Sequence, residues 1–101
     1  MEKRRLSCSK DWTTIEIADF DDKKTLYLNY YDINKIQFDE ALINKLFRKV
    51  RTEKIRIFVN TSSKPIEFTK HNNEMYFEEY KQELSKFARD NSIHLIDNII
   101  S

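Results

Sequence analysis

Not one of the 101 residues is glycine, where an average chain has about seven in every hundred. Glycine-rich phosphate loops, dinucleotide fingerprints and Walker-type cradles all need backbone conformations that glycine supplies. The nucleotide-dependent enzymes built on those motifs are therefore excluded. Tight turns must be made by Asn and Asp, the non-glycine residues that best tolerate a left-handed backbone. Lys, Asn and Ile are abundant instead, as the codon bias of an AT-rich genome would produce.

A chain of this length makes one domain with a single modest core. Its charged fraction of 35% is high, but Phe, Tyr, Ile and Leu are too plentiful for a disordered chain. The longest apolar run is only a few residues, far short of the ~20 a membrane span needs, so no membrane partner is expected. The basic start Met1-Glu2-Lys3-Arg4-Arg5-Leu6-Ser7-Cys8 has no apolar stretch behind it and does not read as a signal peptide. A lone cysteine can form neither an internal disulfide nor a zinc site, which fits a cytoplasmic chain with no metal or cofactor. The net charge of +1 neither demands nor forbids a nucleic-acid partner.

Along the chain, residues 1–11 are expected to be a basic flexible N-terminal arm and 12–101 a single α/β domain. Trp12 to Ala18 reads as a strand with Ile15 and Ile17 on one face, and Asp19 to Lys24 as a turn. Thr25 to Tyr31 is a second strand, with Leu26, Leu28 and Tyr30 on one face and Tyr27, Asn29 and Tyr31 on the other. The short spacing joins the two in an antiparallel hairpin. A helix is then expected from Asp39, an N-cap, with Phe38 stapled onto Ile43. Phe38, Leu42, Ile43, Leu46, Phe47 and Val50 would form its apolar face, opposite Lys45, Arg48 and Lys49, with Arg51 at its end. Lys54 to Asn60 is the third strand, and Thr61 to Pro65 breaks it. Residues 65–73 are a loop or a short extended piece. A second helix spans about Asn73 to Asp90, with Phe77, Tyr80, Leu84, Phe87 and Ala88 as its apolar stripe and Asn91 at the C′ position. Ile93 to Asp97 is the fourth strand. The fold class is thus α/β, a small mixed sheet in the order β-β-α-β-α-β, ending in a right-handed parallel crossover.

The words Ile55-Arg56-Ile57-Phe58-Val59-Asn60-Thr61-Ser62, Phe68-Thr69 and Asn91-Ser92-Ile93-His94-Leu95-Ile96-Asp97 carry a resemblance. With the helix between them, residues 55–97 resemble the second half of an Mrr-type restriction endonuclease domain, of the PD-(D/E)xK nuclease superfamily. The resemblance implies a restriction-endonuclease-like half-core. It implies no catalysis. A working member pairs an early acid with an acidic-x-lysine word, two carboxylates holding a divalent metal and the lysine positioning water. Here Tyr27 and Asn29 stand where that acid and lysine would be, and Ala18 stands beyond Glu16 where a lysine partner would sit. No catalytic residue carries over.

Several constellations have a plain reading beside a functional one. His71 and His94, 23 residues apart, do not make a metal site. Cys8 among Lys3, Arg4, Arg5 and Lys10 is a lowered-pKa thiol or an incidental one. Thr61-Ser62-Ser63-Lys64 holds an anion at the end of a parallel strand, or is a turn. Lys45, Arg48, Lys49, Arg51, Lys54 and Arg56 place six cations within twelve residues, interrupted by Glu53. With Lys3, Arg4, Arg5 and Lys10 they form a phosphate-contacting surface or a solvated helix face. Tyr27, Tyr30 and Tyr31 are an aromatic hot spot or a cover for the sheet.

The functional expectation is a non-catalytic small binding protein, phage or mobile-element derived, that docks on and modulates a nucleic-acid-processing or bacterial defence complex. Its partner-facing residues would be Arg4, Arg5, Lys45, Arg48, Lys49, Arg51, Tyr27 and Tyr31. The partner is expected to be a protein, with nucleic acid on the basic face and a second copy on the hairpin edge as further possibilities. The alternatives are a nucleic-acid-binding domain using the basic helix and N-terminal arm, and a metal-dependent nuclease rearranged around Glu16 and Asp19.

Overall fold

The structure, a computed structural model, describes residues 2–19 and 23–99. The chain runs through β1 (Leu6–Cys8), β2 (Thr14–Asp19), β3 (Lys24–Asn29), a 3-10 turn (Tyr30–Asp32), β4 (Ile33–Lys45), β5 (Arg48–Val59), β6 (Ile66–Thr69), α1 (Phe77–Asp90) and β7 (His94–Asp97). The described residues form a small mixed α/β fold, mostly strands, with two sheets and one α-helix. The sheets have the orders β1-β2-β3 and β6-β5-β4-β7.

The β2–β3 hairpin forms as the alternating pattern requires, with Ile15 opposite Leu28 and Ile17 opposite Leu26. Part of its turn, Phe20 to Asp22, lies outside the described residues. The helical stripe also forms as read: Phe77, Tyr80, Leu84, Phe87 and Ala88 are all buried. They meet Leu6, Ile15 and Leu28 from the first sheet and Ile36, Phe38, Ile55, Ile57 and Phe68 from the second in one apolar core. Burial at this scale, roughly 25 cal/mol for each Å² of apolar surface, is the main force closing the sheets onto the helix.

Three expectations fail. The helix from Asp39 does not exist: its residues are split between β4 and β5, which pair from Ile33↔Val59 to Lys45↔Arg48. The element order therefore differs from β-β-α-β-α-β. Strand 55–59 and strand 93–97 are not parallel neighbours either. β4 lies between them, antiparallel to β5 and parallel to β7. The strands that α1 connects are β6, where a loop or short extended piece is expected, and β7, at opposite edges of the sheet. Finally, residues 6–8 of the expected flexible arm are β1, registered on β2 with Leu6 opposite Ile17. Leu6 is 1% exposed.

The missing glycines leave a mark on the backbone. Among the described residues, Trp12, Lys23, Leu46 and Ser92 have positive φ, between 55° and 60°. None is the expected Asn or Asp. At the end of α1 the left-handed position falls on Ser92, one residue beyond the anticipated Asn91. There the Ile93 N–H donates to the Ala88 carbonyl (2.8 Å) and the Ser92 N–H to that of Arg89 (3.4 Å), a Schellman cap. Asn91 instead uses its side-chain Nδ2 to tie the Trp12 and Phe87 carbonyls together, at 2.6 and 2.9 Å. Ser92→Gly is expected to stabilise the fold by about 1 kcal/mol, since glycine removes the Cβ penalty of that conformation. A urea melt showing no gain would count against a strained cap.

Candidate functional site

Beyond Phe38 and Lys54 the β4–β5 hairpin leaves its sheet. β7 pairs with β4 only from Lys35 to Phe38, and β6 with β5 only from Lys54 to Ile57. The six pairs from Glu40↔Glu53 to Lys45↔Arg48 form a two-stranded ribbon, about 20 Å long at 3.4 Å per residue. None of the residues from Asp39 to Lys54 is in the buried core.

The ribbon is fixed at its base by charge. Glu53 accepts a hydrogen bond from Lys81 Nζ on α1 at 2.8 Å and lies 3.6 Å from Lys70 Nζ, while Glu78 lies 3.3 Å from Lys81 and 3.4 Å from Lys70. Burial works against the charge on Lys81, but the hydrogen bonds and charges of Glu53 and Glu78 outweigh it and raise its pKa. On the other side Asp39 accepts from Gln37 Nε2 at 3.0 Å and Asn98 Nδ2 at 2.7 Å, with Arg56 Nε 3.7 Å away. Burial opposes ionisation of Asp39, yet these donors and the charges of Arg56 and Lys54 hold its carboxyl below the ordinary value of 3.8.

A depressed folded pKa gives stability that is complete above 3.8 and lost as pH falls through the folded value. Asp39→Asn is expected to cost on the order of 1 kcal/mol at pH 7, the scale of hydrogen bonds to a charged group. The difference from wild type should vanish in acid, below both values. A constant difference across a series of urea melts from pH 7 to pH 2 would contradict this.

At the far end the ribbon turns on Leu46 and Phe47, between paired Lys45 and Arg48. Leu46 carries φ 56°, a conformation that costs a residue with a Cβ on the order of 1 kcal/mol. Leu46 and Phe47 are 94% and 103% exposed. Lys45, Arg48 and Lys49 are exposed and make no ion pair among the described residues, and Arg51 reaches Glu40 only at 3.9 Å. Two-residue strand alternation puts Lys45 and Arg48 on one face of the ribbon, Lys49 and Arg51 on the other. An exposed, strained, apolar turn ringed by cations stabilises nothing within this fold.

The structure thus brings Lys45, Arg48, Lys49 and Arg51 together, on a ribbon rather than a helix. Lys54 and Arg56 drop out of the set: their side chains are 21% and 32% exposed and turn to Glu67 at 3.9 and 3.2 Å, whereas that of Arg51 is 75% exposed. Arg4 and Arg5 are not partners of the basic cluster. Arg4 binds Glu79 at 2.6 Å, pairs with Glu83 and lies over the rings of Tyr76 and Tyr80. The Arg5 N–H donates to Tyr80 Oη at 2.7 Å, and its guanidinium lies 5.3 Å from the centre of the Phe68 ring. Tyr27 and Tyr31 are exposed on β3 and the 3-10 turn, with Tyr30 and Tyr31 edge to face at 5.4 Å. β3 is an edge strand of its sheet, and Lys24 begins it just after Lys23, charges that blunt an edge against pairing.

The remaining constellations take their plain readings. Burial pushes the Cys8 thiol up to about 11 against the charge of Arg4, so it is no activated thiolate. Thr61 to Lys64 is exposed and folds on itself, the Lys64 N–H donating to Ser62 Oγ at 3.2 Å. It also follows β5, an antiparallel strand, and so lacks the setting that suggested a ligand. His71 and His94 are exposed, and among the described residues no group of three or more His, Cys, Asp or Glu could hold a metal ion. No described helix is long and apolar enough to cross a membrane. A cleft of about 450 Å³ beside the ribbon base is lined by Glu40, Arg51, Glu53, Lys70, His71 and Glu74 among others. Among these charges Glu53 lies 3.6 Å from Lys70 and Glu40 lies 3.9 Å from Arg51.

Leu46 and Phe47 are the residues that sequence reading missed. A helical period placed them in the core. The only contrary signal was the alternation of Val50-x-Thr52 and Ile55-x-Ile57, without an Asn-Gly turn to mark a hairpin. No protein-family model matches the chain, and no curated protein or solved structure does.

Proposed function

We propose that this chain is a non-catalytic binding protein whose docking element is the β4–β5 ribbon. The assembly it joins is a nucleic-acid-processing or defence complex, the setting to which the Mrr-type words of residues 55–97 point. The observation that carries the reading is the bare Leu46-Phe47 tip, held away from the core on a ribbon anchored at its base. Contiguous apolar surface with no partner inside the fold marks an interaction site.

Asn29 supports the absence of catalysis. It stands where the nuclease pattern requires lysine, and it is spent on structure: its N–H donates to Asp32 Oδ2 (3.0 Å), its Nδ2 to Tyr31 Oη (3.0 Å), and its Oδ1 accepts from Thr14 Oγ1 (3.2 Å). Glu16, the candidate early acid, is exposed on β2 opposite Tyr27.

The test is affinity purification of the tagged chain from a host lysate, beside a variant in which Leu42–Arg51 is replaced by Asn-Gly. Species retained by the wild type and missing from the shortened chain are expected. Identical retention by both would remove the ribbon as the docking element.

A further inference from the structure

We propose that the ribbon binds duplex DNA, entering a groove with Leu46 and Phe47 as an apolar wedge while Lys45, Arg48, Lys49 and Arg51 meet the flanking phosphates. This rests on the reading of the ribbon as the docking element and names what that element touches.

Shape, charge and tip chemistry agree. A two-stranded β-ribbon fits the major groove of B-form DNA, whereas the deep, narrow major groove of an RNA duplex does not admit side chains. The four cations exceed the net charge of the whole chain, which is +1, so the rest of the molecule is net acidic. That polarity orients the tip toward a polyanion and the body away from it. No acidic residue lies between Glu40 and Glu53.

The cations occupy both faces of the ribbon and span three residue steps, from Arg48 beside the turn to Arg51, about 10 Å at strand rise. A groove presents phosphates on both sides and over comparable depth. A lipid headgroup layer presents its charge as one plane in front of the tip, and half of this array would not face it. Leucine and phenylalanine are among the side chains that architectural proteins push between base steps, unstacking them and bending the duplex. Phosphate contacts and an apolar wedge carry no base code. Binding should therefore be blind to sequence at large and sensitive to how easily a step opens.

The experiment is fluorescence anisotropy of the full chain with a labelled 30-base-pair duplex at 50 to 200 mM KCl, together with the same duplex carrying a central mismatch. Four phosphate contacts predict a slope of log K against log salt near −3.5, or roughly a hundredfold loss over that range. The mismatched duplex should bind several-fold more tightly, and Phe47→Ala should erase that preference while keeping the salt slope. The triple change Lys45→Gln, Arg48→Gln and Lys49→Gln, all at exposed positions that make no ion pair among the described residues, should cut the slope to about −1.

No binding to either duplex at 50 mM KCl would overturn the proposal, as would a slope unmoved by the triple change. Binding to vesicles of anionic phospholipid with none to DNA would overturn it and leave the ribbon as the docking element. So would a nuclease-resistant protein partner captured only with the ribbon intact, if DNA is not bound. Retention in the affinity purification that is indifferent to the ribbon marks the failure of the docking reading itself.

Discussion

The variant with Leu42–Arg51 replaced by Asn-Gly is expected to fold, with a melting temperature within roughly 5 °C of wild type, the shift produced by about 1 kcal/mol in a domain this size. The replacement joins Ala41 to Thr52, which face each other across the ribbon, through the dipeptide best suited to a two-residue hairpin turn. It removes no core side chain, and it leaves Asp39 with Asn98 and Glu53 with Lys81 in place. It also removes the strained Leu46. Had residues 39–50 been an amphipathic helix packed through Leu42, Ile43, Leu46 and Phe47, the same excision would take several buried apolar groups at about 2–5 kcal/mol each and unfold the domain. Thermal denaturation followed by circular dichroism separates these outcomes directly.

Leu6→Asp is expected to unfold the protein at room temperature. A carboxylate at a site 1% exposed, among the apolar side chains of the core, has no partner to offset its desolvation. That cost alone rivals the 5–15 kcal/mol by which domains are stable. Leu6→Ala should remain folded and lose about 2–5 kcal/mol in a urea melt. A free N-terminal arm would show no change with either substitution. Arg4 and Arg5 belong to the same packing: their contacts with Glu79, Glu83 and Tyr80 seat β1 on α1. They are therefore poor reporters of partner binding, and substitutions there should be read first as losses of stability.

The mispredicted helix and the correctly read one differ in a single physical respect. In Phe77 to Ala88 the apolar residues recur at helical spacing and every one of them is buried. The spacing and the burial report the same face. In Phe38 to Val50 the apolar residues also fit a helical period, but Leu42, Leu46 and Phe47 project into solvent. Strand alternation is legible when one face meets a core, and most of this ribbon meets none. The turn gave no signal either, because in a chain without glycine the left-handed position falls on Leu46. A single apolar residue, Leu6, in a basic stretch could not announce a strand.

By itself the sequence determined the features whose hydrogen bonds and apolar contacts are local or strongly periodic. These are the β2–β3 hairpin, the buried stripe of α1, the strand character of residues 55–59 and 94–97, and the concentration of cations between Lys45 and Arg51. Tertiary structure decided where β4 would find its partners, that β7 would lie beside β4, and that Arg4 and Arg5 would be spent on the helix. It also carried Leu46 and Phe47 out of the core to the tip of a ribbon. A helix closes its hydrogen bonds within four residues, so a local pattern can define it. A strand's bonds lie across the fold, and its identity is settled only when distant segments are brought alongside.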